Sequence, residues 1–167
     1  MEYNYIPTTD KRRYISGLHS LNLDVGDNTN SDWHFANYWL IKNKPIELFG
    51  VGSKADTTPI FGNQGVENRA YSLRRYGIEV SKVYIADHTR AFVDLVYRTL
   101  KSTGRIGYAK GMKDEIFNNI EQVNQVFDML VKLLPYLNED SKEVLDEWLS
   151  REFRSFYKSR KFGEIQS

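Results

Sequence analysis

Residues 84–100, YIADHTRAFVDLVYRTL, set a β-type run directly against an amphipathic helix, with only a polar knot between them. Val83, Tyr84 and Ile85 have strand character, Ala91, Phe92, Leu95, Val96, Thr99 and Leu100 recur at helical spacing, and Asp87 stands where an N-cap belongs. A strand that feeds a helix without an intervening loop commits the chain to a sheet with a helix packed on it. His88, Arg90 and Asp94 crowd the junction, where free backbone N–H groups and the positive end of the helix dipole favour an anion or a carboxylate. Asp87, His88 and Arg90 are therefore site candidates. A cap, a structural histidine and an i to i+4 ion pair of Arg90 with Asp94 account for them more simply, since capping residues need no further reason to be there.

Around this stretch the chain changes character near residue 101. Before it lie short β-type runs, Gly and Asn turns and all three histidines; after it come long amphipathic helices. Residues 14–23 alternate as a strand would, with His19 inside it, and residues 31–41, SDWHFANYWLI, read better as strand than as helix. Pro45 to Val51 is a strand, and residues 60–80 are hairpin-like, with turn chemistry at Gly62 to Gly65 and at Gly77. Met112 to Leu134 carries one apolar face and ends at Pro135; Asn138 or Asp140 opens a last helix, acidic at its start and basic at its end, as the dipole favours. The expected architecture is α+β: a twisted, mainly antiparallel sheet, covered on one face by the central helix and two long C-terminal helices. Residues 1–101 form the β-rich segment and 102–167 a helical hairpin on it, in one structural domain.

Several function classes fall away. The chain of 167 residues has no cysteine, so disulfides, thiolate metal sites and cysteine nucleophiles are excluded. With 23 basic against 22 acidic residues, overall charge gives no case for nucleic acid, and any such case must rest on local patches. Residues 24–35 resemble a calcium loop in composition, but Thr29 and Phe35 occupy the glycine and glutamate positions. Gly50 to Ala55, GVGSKA, follows a strand as G-x-G-x-x-A, yet Asp56 to Pro59 turns where a dinucleotide site needs a helix. No metal or cofactor is expected. The N-terminus lacks a secretion signal and no apolar run spans a membrane, so a cytoplasmic protein with no membrane partner is expected.

Two sets of residues carry the functional readings. His19, Asp32, His34, Glu67, Arg69, Asp87, His88 and Arg90 comprise the polar inventory from which a small enzyme on phosphate-containing substrates would draw its base and anion-holding groups, with His34, His88, Asp32, Glu67 and Arg90 as the catalytic candidates. Asp32 and His34 would share one face of a strand. Arg69, Tyr71, Arg74, Arg75 and Tyr76 interleave basic and aromatic side chains, the composition of both nucleic-acid and protein interfaces, and the basic end of the last helix extends the nucleic-acid option.

Residues 83–97, VYIADHTRAFVDLVY, resemble the run near the end of AbiEi-type antitoxins of bacterial abortive-infection systems, through Val83, Ala86, Arg90, Ala91, Val93, Asp94 and Leu95. No helix-turn-helix precedes residue 84, where such antitoxins carry a DNA-binding domain. The resemblance implies a defence or toxin–antitoxin setting and a protein partner, a toxin enzyme, and carries over no catalytic residue. The expectation is a cytoplasmic bacterial or phage-borne binding protein acting by protein contact, with the small enzyme and a DNA-binding regulator as alternatives.

Overall fold

The computed structural model describes residues 5–30, 33–41 and 44–166, with side chains as far as residue 160. Four short strands, β1 (Arg13–Ile15), β2 (Leu48–Gly50), β3 (Val66–Asn68) and β4 (Tyr84–Ala86), form one sheet in the order β2-β1-β4-β3. The two outer pairings are antiparallel and the central one, β1 with β4, is parallel. The fold is α+β, with a mixed sheet whose majority of pairings is antiparallel.

Side-chain alternation along these strands separates two cores. Tyr14, Phe49 and Ala86 point to one face, Ile15, Leu48 and Ile85 to the other. The first face lies under α5 (His88–Thr103), α7 (Ile120–Leu133) and α8 (Glu139–Glu152), through Phe92, Val96, Phe127, Leu130, Leu145 and Trp148. That core joins residues from both sides of position 101. The second face is also covered, which corrects the expectation of a sheet covered on one face only. Trp39 from α2 (Asn37–Leu40) and Leu73 from α4 (Ala70–Arg74) close over it with Leu23, Ile78 and Val83. These short elements hide from periodicity because each contributes one or two buried residues.

Other segments depart from expectation for local reasons. The run at 14–23 is a strand only to Ile15; the Ser16 hydroxyl then turns in to Asp94 at 2.8 Å, and α1 (Gly17–Leu21) follows. Residues 37–40 are helical rather than extended: Trp39 is buried and donates its Nε1–H to the Asn22 carbonyl, while Phe35 and Ile41 remain exposed. In 60–80, β3 pairs with β4 instead of folding back on its neighbour, between α3 (Thr58–Phe61) and α4. The long helix expected over 112–134 breaks at Phe117, which is extended, into α6 (Lys113–Ile116) and α7. Asn119 caps α7 by accepting from the Gln122 N–H at 2.9 Å. The last helix likewise divides at Phe153 into α8 and α9 (Arg154–Gln166). The cap at Asp87 is as the sequence implies, and of the two residues it offers for the last helix, Asn138 is the cap while Asp140 lies inside α8.

The β1–β2 pairing depends on Gly50. Its φ is +95°, and a Cβ there would lie 2.0 Å from the Arg12 carbonyl oxygen, which also accepts from the Val51 N–H. Gly50→Ala is expected to cost about 2 kcal/mol, from the strained φ together with the displaced backbone, read as a lowered urea midpoint. An unchanged midpoint would show that the turn relaxes freely.

Candidate site at the start of the long helix

Helix α5 enters the core with its first turn packed among polar groups. Asp87 accepts from the Arg90 N–H at 2.8 Å, and its own N–H donates to the Gly65 carbonyl. Burial raises the pKa of this carboxyl, partly opposed by that N–H. The orphan N–H of His88 is taken by Asp27, 2.9 Å away, from the loop whose composition resembles a calcium site.

His88 is fully buried. Its Nε2 lies 2.9 Å from the Ser20 carbonyl and 2.7 Å from that of Leu23, so Nε2 carries the proton. Nδ1 then faces the Thr29 hydroxyl, with Asp27 Oδ1 at 3.4 Å. Desolvation lowers the imidazole's pKa, against the pull of Asp27, and the ring is neutral near pH 7. His34, half-buried, stands with its ring centroid 5.4 Å from that of His88 and its Nε2 3.5 Å from the same Thr29 hydroxyl. The two histidines named from sequence do meet. Thr29 and Asp27, which join them, went unnamed as site residues, the only signal being their place in an Asp- and Asn-rich loop. That loop is tied on its far side as well: Gln122 donates to the Asp27 carbonyl at 2.8 Å, Asn118 to that of Asn28 at 2.9 Å, and Asn30 to that of Glu115 at 2.7 Å.

Arg90 and Asp94, on the other side of the helix, are both fully buried and form a closed network. The Arg90 guanidinium donates to Asp94, to the Gln64 and Gly62 carbonyls, and to the hydroxyls of Tyr14 and Thr57. Asp94 accepts from Arg90, Thr57, Tyr14 and Ser16. Burial and the charge of Asp94 push the Tyr14 phenol's pKa upward. Every strong donor and acceptor here faces protein, so Arg90 holds β1, the α3 region and α5 together and is not free to take a phosphate. That corrects its reading as an anion-holding residue.

The remaining candidates scatter. Arg69 donates to the carbonyls of Ile85, Val25 and Gly65, and so belongs to the scaffold and not to an exposed patch; Glu67 is largely exposed beside it at 3.8 Å. Tyr76 is half-buried with its hydroxyl on the Asn22 carbonyl. Asp32 lies outside the described residues. His19 sits apart from the other histidines, ring edges against Tyr38 and Trp39. Burial, helped by the charge of Lys44, lowers its pKa to about 4. Tyr71, Arg74 and Arg75 remain at the surface of α4, at i, i+3 and i+4, while Ala70 and Leu73 face inward. Among the described residues no three His, Cys, Asp or Glu side chains are placed to share a metal ion, and no helix is long and apolar enough to cross a membrane. Comparison with family models, curated proteins and solved structures finds no significant match.

Proposed function

We propose that this chain is a binding protein that acts by contact with another protein, with α4 presenting the contact face. The observation that carries the reading is a division of labour among the polar side chains. Arg69, His88 and Arg90, from which a catalyst would be assembled, are turned inward with their donors engaged by the fold, whereas Tyr71, 69% exposed, stands out beside Arg74 and Arg75, which are exposed although Arg74 donates once to the Val80 carbonyl and Arg75 faces Asp24 at 3.5 Å. Tyr and Arg are the residue types that concentrate binding energy at protein interfaces, and two guanidiniums favour an acidic partner. The resemblance of residues 83–97 to AbiEi-type antitoxins suggests that the partner is a toxin enzyme in a bacterial or phage-borne defence system, which would place the chain in the cytoplasm.

The test is capture of the tagged chain from its native host beside a Tyr71→Ala/Arg74→Ala variant. A stoichiometric protein is expected with the first and lost with the second, corresponding to at least about 2 kcal/mol of binding energy, while both chains melt alike. A second reading, chemistry on a phosphate-containing substrate, is favoured by the meeting of His34 with His88 across Thr29. If the chain came through alone and turned over a phosphate ester in a way that His34→Ala abolished, that reading would replace the first.

A further inference from the structure

Beyond α4 and the His88 junction, two clefts share a wall made by Glu47, Phe49 and Arg98. The larger, of about 630 Å³, lies between β2, the turn that follows it and the second half of α5; the smaller is about 260 Å³. The larger has the volume of a small-molecule site, and the smaller falls just below that range, as a side lobe would.

Three basic side chains border the larger cleft from three separate elements: Arg13 from β1, Lys54 from the turn after β2, and Arg98 from α5. One carboxylate faces them, Glu47, which pairs with Arg98. Arg98 is further held by the Phe49 ring, 4.8 Å from its guanidinium, and so stands ready-positioned. Arg13 and Lys54 make no ion pair among the described residues. Three cations less one carboxylate leave +2 around this one cleft, in a chain whose whole formal charge is +1. Gly52 lines the same cleft with φ +84° and open space where a Cβ would stand, so a ligand can approach the backbone there. This is the glycine turn of the GVGSKA run, followed after Asp56 and Thr57 only by the four-residue α3.

The smaller lobe has another character. Its wall includes His19, 8% exposed, whose Nε2 is buried without a hydrogen-bond partner. A buried ring nitrogen without a partner is destabilising unless something supplies the missing bond. Its imidazole is neutral at pH 7 and offers a hydrogen bond, while Lys44 supplies a cation to the same lobe.

We propose that this two-lobed cleft binds a small phosphorylated molecule. Arg13, Lys54 and Arg98 hold the phosphate, and a hydrogen-bonding part of the ligand reaches His19. Three cations bordering one cleft suit the several oxygens of a phosphate better than the two of a carboxylate. The assignment is independent of the protein-binding reading and stands or falls separately from it.

Titration calorimetry with inorganic pyrophosphate and with adenosine diphosphate, on the full chain, tests it. Both are expected to bind saturably and more weakly as salt is added. Arg13→Ala/Lys54→Ala is expected to weaken both by roughly tenfold or more, with the melting temperature of the free protein unchanged. His19→Gln should weaken the diphosphate of adenosine and leave pyrophosphate as it was. Absence of saturable binding, or binding indifferent to Arg13 and Lys54, would overturn the proposal. Tighter binding of an acidic peptide than of either probe would overturn it too, assigning the cleft to a protein segment.

Discussion

Asp94→Ala is expected to destabilise the chain by about 3–5 kcal/mol, a large share of what a domain of this size possesses. The reason is what it leaves behind. Arg90 would remain fully buried with its charge facing no carboxylate, and the hydroxyls of Tyr14, Ser16 and Thr57 would lose a shared acceptor. Arg90→Ala is expected to cost a similar amount, because Asp94 would then be the isolated charge. Replacing both with Met and Leu should cost less than the sum, since neither charge is then left unmatched. Urea unfolding followed through tryptophan fluorescence measures all three. A single variant within about 1 kcal/mol of the parent chain would mean that water reaches the network and that its burial carries no such weight.

The second large effect is acid sensitivity. In the fold His19 and His88 are both neutral and both reluctant to take a proton, His19 with its pKa lowered to about 4 from an ordinary 6.5. In the unfolded chain they protonate near 6.5. As pH falls below 6.5 the unfolded state therefore binds protons that the folded state refuses, and stability present above that pH is lost down to about pH 4. For His19 alone the loss is about 3 kcal/mol. His88, its pKa lowered by desolvation, acts with the same sign, and its protonation would also set a proton on the nitrogen that now faces Thr29. Urea curves near neutrality and near pH 4 give the difference directly. His19→Leu should remove most of the dependence that His19 contributes; a variant that still loses the full amount would assign the acid sensitivity to other groups.

Part of the fold is legible in the sequence itself. The strand–cap–helix at 84–100, the α+β class, the caps at Asp87 and Asn138 and the Arg90–Asp94 pair are all local: each follows from residues within a few positions of one another, through capping chemistry and helical spacing. Where local patterns were short they misled. Residues 14–23 alternate like a strand, yet one buried hydroxyl at Ser16 and the packing of α1 end the strand at Ile15. The aromatic run at 33–41 fits either period, and only the place of Trp39 against Asn22 selects the helix.

The site divides along the same line. Sequence marked His34 and His88 as polar residues beside turns; that they meet, 59 positions from Thr29 to His88, depends on the loop at 24–30 folding over the start of α5. It could not reveal that Arg69 and Arg90 are used up by backbone carbonyls, because carbonyl acceptors leave no trace in residue identity. Nor could it gather Arg13, Lys54 and Arg98 around one cleft, since they lie on three elements that are brought together only by the sheet order and by α5 crossing it. What this sequence determined alone is its local grammar, the caps, periods and charge pairs set by near neighbours. The tertiary structure decided which polar groups are buried and satisfied and which are left to meet a partner, because burial is a property of the whole packing and not of any stretch of chain.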